Sequence, residues 1–407
     1  MVRKALFALT LVFVCGLIIM PAAAQDEFVF GMVLVGPFND RGWSQAHYEG
    51  GQYVEQNVPG AKMLFFEKLN PADAPETTLR DVVTNMVDQG AQLIFTASDE
   101  FEEDTAEVAK EFPDIIFINV SGDDAYTGTA PANLGNVMGA MEWGKLIAGC
   151  AAGLTTETGS IGYLGPLINF ETRRLAASAY LGARYCYENY RGFDPADLKF
   201  TVTWIGFWFN IPGVTLDPTE VTNSFFDSGV DVVISGIDTT EGIVVAGQRA
   251  AQGEKVWSIP YDYMGACDEA PDICLGVPYF HWGPGYAQIV AAAKNGAYTQ
   301  EWTLLNPDWA DINNQDTSAI GFVKGAGLSE ANAASLDDFI AKAAAFAQDE
   351  ANADNVFLWR GPLKYQDGTE IAAEDESLPY IAPLGETPSI WYLDQLLEGM
   401  TGPSKQE

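Results

Sequence analysis

The chain has 407 residues, of which 48% are hydrophobic and 12% aromatic, with 10 Trp and 16 Tyr. Its 56 acidic residues against 21 basic ones give a formal net charge of −35, which repels nucleic acid and acidic membrane surfaces and excludes both as partners. The length allows two domains of ordinary size, and the acids are scattered, as in Glu100–Glu111 and Glu370–Glu376, so they read as a solvated surface rather than an acidic tail.

Arg3 and Lys4, the apolar stretch Ala5–Met20 and the small residues Ala22-Ala23-Ala24 read as a secretory signal over residues 1–24. Cleavage there leaves Gln25 first and a net charge of −37. Phe13 and Val14 are bulky where lipoprotein processing wants small residues, so lipid attachment at Cys15 is not the expected reading. No later apolar run is long enough to span a bilayer. The expected location is outside the cytoplasm, in a periplasm or on the outer face of the cytoplasmic membrane. Cys150, Cys186, Cys267 and Cys274 remain, in a compartment that oxidises thiols. Cys267 and Cys274 flank DEAPDI and are spaced to close a small loop, but three pairings are open.

From Phe28 the pattern becomes regular. Phe28–Val35 is an apolar run typical of a strand buried on both faces. Gly36 and Pro37 break it, and a polar loop with Asp40 leads into a helix opened by Trp43 and Ser44. Ala61–Glu67 is a strand, Thr77–Gln89 a helix, and Gln92–Ala97 a strand ending at Ser98-Asp99-Glu100. A helix stopped by Pro113 precedes a fourth strand, Ile115–Val120, ending at Ser121. This βαβ repetition predicts a parallel sheet with helices on both faces.

A second set begins near Asn133. A helix rich in small residues, Gly139–Leu154, precedes the strand Ser160–Leu164 and a helix over Glu171–Tyr187. The strand Lys199–Ile205 runs into GFWFNIPG. Val221–Asp227 is helical, Val230–Ser235 is a strand ending in GIDTTEG, and Gly242–Gln252 is a helix. Lys255–Ile259 is a strand ending in PYDYMG. Beyond it lie short strands at Ile273–Val277 and Ala319–Val323, with a helix, Gly285–Asn295, between them. An alanine-rich helix covers Ser329–Asp349, a hairpin turns at Gln366-Asp367-Gly368, and a last helix is expected near Ile390–Leu397.

No GxSxG, HExxH, Walker or strand-to-helix GxGxxG sequence is present, and no nucleophile–base pair stands out. With two histidines and no cysteine cluster, a structural zinc site is not expected. What recurs is an aromatic with a carboxylate or amide at a strand end. Asp40 with Trp43 is one case, and Phe207, Trp208, Phe209 and Asn210 are another. Asp238-Thr239, Tyr261-Asp262-Tyr263, and Tyr279, Phe280 and Trp282 continue the series. Two aromatic faces can sandwich a flat heterocycle, each pair giving roughly 0.5–1.5 kcal/mol beyond area burial. Acids and amides then read its N–H groups.

These residues resemble the basic-membrane-protein family of purine-nucleoside receptors, the substrate-binding proteins of ABC importers. The resemblance runs from about Phe28 to Gly368. It is carried by Asp40–Gly50 (DRGWSQAHYEG), Val108–Ile118, Trp143–Gly149 (WGKLIAG), Ile161–Gly165 (IGYLG), Trp204–Gly206, Gly229–Ile234 (GVDVVI), Tyr261-Asp262 and Arg360-Gly361. It implies an α/β fold of two lobes of the type I periplasmic-binding-protein kind, each a mostly parallel sheet flanked by helices, closing like a hinge on a ligand. The implied division is residues 25–122 with 272–300 in lobe one, and 123–271 with 301–407, including a C-terminal extension, in lobe two.

The resemblance implies a non-catalytic monomer that uses no cofactor and passes a purine to an ABC permease in the membrane. Trp43 takes the stacking position where the family has Phe, with Asp40 and Ser44 beside it. Ser98 and Asp99 end a lobe-one strand. Trp208, Phe209 and Asn210 face them from lobe two, Asp238 and Asp262 are polar anchors, and Trp282 lies near a hinge crossing. Ser44, Ser121 and Asn210 depart from the family's amide or acids. Fewer acids suit ribose poorly, since vicinal hydroxyls favour carboxylates, so a free, adenine-like base is expected at least as much as a nucleoside. Rival readings are another small polar solute, such as a sugar, in the same frame, and an exported nucleoside hydrolase.

Overall fold

The computed structural model describes residues 27–385 and 387–405; the expected signal, residues 1–24, lies outside the described residues. The first strand, β1 (Phe28–Leu34), is buried along its whole length, as its unbroken apolar run requires of a central parallel strand. After it come α1 (Trp43–Asn57), β2 (Ala61–Phe66), α2 (Leu79–Asp88), β3 (Ala91–Ala97), α3 (Glu102–Glu111), β4 (Ile116–Val120), a short α4 (Asp124–Thr127) and β5 (Leu134–Gly139). The second set is α5 (Glu142–Thr155), β6 (Ser160–Gly165), α6 (Phe170–Asn189), β7 (Lys199–Trp204), α7 (Pro218–Asp227), β8 (Val232–Ser235), α8 (Glu241–Ala251) and β9 (Trp257–Ile259). The remainder is β10 (Gly276–Phe280), α9 (Gly283–Lys294), β11 (Trp302–Leu305), β12 (Ile320–Lys324), α10 (Glu330–Ala347), β13 (Leu363–Lys364), β14 (Glu370–Ala372) and β15 (Met400–Thr401).

Two parallel sheets result, each the core of a lobe. The first has six strands in the order β11-β5-β4-β3-β1-β2, the second five in the order β15-β7-β6-β8-β9. The chain leaves the first sheet after β5. It returns through β10 to α9, which packs on α1, and to β11, then leaves again through β12 to α10, which packs on α5. β10 and β12 pair antiparallel. Three crossings of this kind are what a hinge needs: each lobe is a rigid sheet, and only the crossing segments must bend.

The expected lobe division differs from the sheets at two strands. β5 falls in 123–271 and β11 in 301–407, yet both belong to the first sheet. Neither was expected as a strand. β5 reads LGNVMG, and its glycines mask the pattern. At Gly139 the reason is packing, because a Cβ there would stand 2.7 Å from the Phe280 ring. The expected helix at Ile390–Leu397 does not form. Its apolar residues are buried on all sides rather than along one stripe. The backbone is held instead by Arg173 Nε, which donates to the Leu393 carbonyl at 2.6 Å, and by Leu396 N–H, which donates to Ser404 Oγ at 2.8 Å.

The small residues of α5 have a clear use. A Cβ on Gly149 would lie 1.8 Å from the Ala179 carbonyl oxygen, and one on Gly182 would lie 2.0 Å from that of Leu146. α5 and α6 therefore touch backbone to backbone, close-packed like the rest of the interior, and the Cys150–Cys186 disulfide joins them. Cys267 and Cys274 form a second disulfide that closes the expected small loop. The close α5–α6 packing carries the first turn of α6 to the gap between the lobes, where Glu171 and Thr172 line it.

Candidate functional site

The gap holds a narrow cavity, with about 420 Å³ of empty space between its walls that includes open solvent. Its lining comes almost entirely from the carboxyl ends of parallel strands and the turns that follow them, where open α/β sheets hold ligands. The first lobe gives Trp43 after β1, Ser98 and Asp99 after β3, and Ser121 after β4. The second gives Tyr163 on β6, Glu171 at the start of α6, Trp208 after β7, Asp238 after β8 and Tyr261 after β9.

Trp43 is fixed from behind. Its Nε1–H donates to the Ala97 carbonyl at 2.8 Å. Its ring stands edge-on to Phe280 at 5.4 Å and to Trp282 at 5.6 Å, and His47 lies 4.4 Å away. Such edge contacts are a favoured aromatic geometry, and they set the plane of the indole before any ligand arrives. Across the cavity, Trp208 is 7% exposed, and its Nε1–H has no partner among the described residues. The Asp238 backbone N–H donates to the Trp208 carbonyl at 3.0 Å, which joins these two residues.

Three carboxyl groups line the cavity. Asp99 accepts from Asn169 Nδ2 at 3.0 Å, across the lobes. Glu171 Oε2 accepts from Ser121 Oγ at 2.7 Å, also across the lobes. Burial raises Asp99 above the usual carboxylate range, with the Arg174 charge opposing. Burial likewise raises Glu171 to about 7, against Arg174. Asp238 is raised well above its ordinary value, by burial first and then by the charges of Asp262, Asp40 and Glu171. Among the described residues no Lys or Arg side chain lines the cavity itself, so an anionic ligand such as a nucleotide would find no cation in direct contact. The cavity suits a flat, neutral, donor-rich molecule.

The other sequence-predicted residues serve elsewhere. Asp40 accepts from the backbone N–H groups of Gly42, Ser44 and Gln45 at 2.9–3.0 Å, so its carboxylate caps α1; burial raises it to about 6 against those bonds. Ser44 Oγ accepts from Gly36 N–H at 2.9 Å inside the lobe. Phe209 stands edge-on to Phe207 at 5.1 Å, and Asn210 Oδ1 accepts from Thr215 Oγ1 at 3.1 Å. Neither reaches the cavity lining. Trp282, 1% exposed, is stacked on Phe280 at 4.6 Å and His47 at 4.5 Å and backs Trp43 rather than the cavity. Asp262 is fully buried at a positive φ of 69°, and both carboxyl oxygens lack a partner among the described residues. Lys145 is the cation whose charge opposes burial there.

Tyr163 and Glu171 were not singled out from the sequence, whereas Tyr261 belongs to the strand-end series Tyr261-Asp262-Tyr263. Tyr163 lies on β6 and Glu171 in the first turn of α6. Glu171 was hidden by its place inside a helical pattern. Lys145 was hidden in the same way. It is buried on α5, donates to the Ser235 carbonyl at 2.7 Å and stands 3.2 Å above the Tyr261 ring. Burial lowers it to about 7, against the pull of Asp262. Among the described residues, no group of three or more His, Cys, Asp or Glu side chains is placed to hold a metal ion.

The family model for ABC transporter substrate-binding proteins of the PnrA-like (Bmp) type matches residues 28–276. The chain belongs to this family. Bmp proteins are solute-binding receptors of ABC transporters, acting outside the cytoplasm with a small-molecule ligand and a membrane permease. A purine-binding protein of Brucella abortus (strain 2308) is 26% identical over 350 residues, covering 86% of this chain and 88% of that one. A putative ABC transporter glucose-binding protein of Haloferax volcanii is 27% identical over 267 residues, covering 65% of this chain and 61% of that one. An ABC transporter solute-binding protein from Conexibacter woesei shares the fold, with a TM-score of 0.56 at 17% identity over 78% of this chain and 97% of that one. No helix among the described residues is long and apolar enough to cross a membrane.

Proposed function

We propose that this Bmp protein binds a purine, either an adenine-like free base or a purine nucleoside, between its lobes and delivers it to an ABC permease. One observation carries the reading: Trp43 of the first lobe and Trp208 of the second wall the same cavity, with Asp99, Glu171 and Asp238 around them. An indole from each side suits a flat ring, and the lining carboxyl oxygens suit its amine and ring N–H groups. An unmet polar group in such a closed site costs about 1–3 kcal/mol, which makes the pattern selective. The Brucella relative named for purine binding supports the same ligand class. The expected signal over residues 1–24 supports export, and the protein acts as a monomer in this reading.

A sugar is the second reading. Carboxylates also pair with vicinal hydroxyls, and the Haloferax relative is named for glucose. Titration of the purified protein with adenine, adenosine, guanosine, inosine and glucose, followed by tryptophan fluorescence and calorimetry, separates them. Adenine binding supports the free base. Tight adenosine binding without adenine binding rejects the base in favour of the nucleoside. Binding of glucose alone rejects the purine.

A further inference from the structure

Glu171 stands where the two lobes and the cavity meet. It is in the first turn of α6 and 6% exposed. Asn169 caps that helix, its Oδ1 accepting from Thr172 N–H at 2.9 Å, while its Nδ2 crosses to Asp99 of the first lobe. Arg174, on the next turn, lies 3.9 Å from Glu171 Oε2 and is itself held by Glu142 at 2.6 Å. Tyr380 Oη donates to the other oxygen of Glu142 at 2.9 Å. From the first lobe, Ser121 Oγ donates to Glu171 Oε2. Both polar neighbours therefore engage Oε2. Oε1 has no hydrogen-bond partner among the described residues, and the side chain lines the cavity. A carboxyl oxygen left without a protein donor on a side chain that lines the cavity, while its partner oxygen is held by Ser121 and Arg174, is placed to receive a donor from a bound solute.

We propose that Glu171 is a specificity-determining residue: Oε1 accepts a hydrogen bond from an N–H or O–H of the bound solute while Oε2 keeps Ser121 of the opposite lobe. Solute recognition and lobe closure then share one carboxyl group. A solute that lacks the donor leaves Oε1 unmet inside the closed cleft, so it is discriminated against at the moment of closure rather than on first contact. Ser121, which touches Glu171 and not the predicted donor contact, acts as a positioning residue. The assignment rests on the purine reading for its choice of probe.

The test compares wild type, Glu171→Met and Ser121→Ala by calorimetry with adenine, with unsubstituted purine, which lacks the exocyclic amine, and with 9-methyladenine, which lacks the N9–H. Adenosine and 2′-deoxyadenosine extend the series to the sugar. Met fills the space of the side chain without an oxygen acceptor. The expected result is a loss of about tenfold or more in Glu171→Met for solutes that keep the donor, and little loss for the one analogue that lacks it. Ser121→Ala should weaken all of them evenly, by a smaller factor. An equal Glu171→Met loss across every analogue, or none, overturns the assignment. Should wild type bind no purine, the purine reading falls alone. The two proteins are then compared by mass spectrometry for the solute each retains through purification, and equal retention overturns the role of Glu171.

Discussion

Gly42, at the start of α1 in the first lobe, lies directly against the backbone carbonyl of Asp238 in the second: a Cβ on Gly42 would stand 1.6 Å from that oxygen. Neither group is mobile enough to yield, since one opens a capped helix and the other carries a carboxyl group of the cavity. The Arg41–Glu269 ion pair, 2.9 Å long and partly exposed, lies beside this contact. Gly42→Ala should therefore block closure while leaving every lining side chain in place. The expected outcome is a loss of at least about tenfold in solute affinity, because the binding-competent form becomes a minor one. The melting temperature of the ligand-free protein should barely change. Calorimetry with scanning fluorimetry checks both, and full affinity in Gly42→Ala would refute the contact.

Trp43 and Trp208 should differ when truncated. Trp43→Ala removes a ring packed on Phe280 and Trp282 and a hydrogen bond to Ala97, so it should lower stability by about 3–5 kcal/mol, the range for a large buried aromatic. It should also abolish binding. Trp208 sits in the irregular segment between β7 and α7, and its Nε1–H has no partner among the described residues. Trp208→Ala should lose affinity by an order of magnitude or more while costing less stability than Trp43→Ala. Urea unfolding and ligand titration of both variants decide it; equal stability losses would mean that Trp208 is core rather than wall.

The sequence patterns that survived are those set by simple burial. The apolar run Phe28–Val35 reads as a buried strand and forms one over Phe28–Leu34, and the strand-end pattern picked out Trp43, Ser98, Asp99, Trp208 and Asp238, which line one cavity. What could not be read was set by partners distant in the chain. β5 and β11 are ordinary-looking stretches until they pair with each other. Asp40 carries the same carboxylate as Asp238, but nothing in its type says that three local N–H groups will take it. Ile390–Leu397 has a helix-like composition, yet Arg173, more than 200 positions earlier in the sequence, fixes its backbone. Glu171 and Lys145 were invisible because a charged residue inside a helical pattern is normally a solvated one.

Stability should fall as pH rises through the range between about 4.3 and about 7. Burial lifts the carboxyl groups of Glu171 and Glu102 to about 7 in the folded protein, whereas an unfolded Glu titrates near 4.3. In that window the folded state holds more protons than the unfolded state, so raising pH favours unfolding, by at most about 1.4 kcal/mol per pH unit for one fully shifted group. Glu102 is partly exposed, so its share is smaller. Glu171→Gln keeps the shape and removes the titration. Urea unfolding at pH 5 and pH 7.5 should show a smaller fall for this variant than for wild type, and an identical fall would show that Glu171 does not hold its proton in this range.

Arg174 ties the C-terminal stretch to the hinge. Arg174, 2% exposed, pairs with Glu142 at 2.6 Å, and its guanidinium lies 4.0 Å from the centre of the Trp391 ring. Trp391 in turn stands edge-on to Trp302 of β11 at 4.9 Å. One arginine of the second lobe thus supports a ring that touches the first sheet, and the same arginine neighbours Glu171. Arg174→Met would leave Glu142 buried without its cation, and breaking a buried pair from one side costs about 3–5 kcal/mol. Arg174→Met with Glu142→Gln removes both charges, so it should cost less than Arg174→Met alone. The residual loss then measures the packing of Trp391 and the Tyr380 bond to residue 142. Urea unfolding of the single and double variants gives the coupling. If the double variant is less stable than Arg174→Met by the full cost of Glu142→Gln, the pair is not acting as a unit, and the tie between the C-terminal stretch and the hinge rests on the aromatic contacts alone.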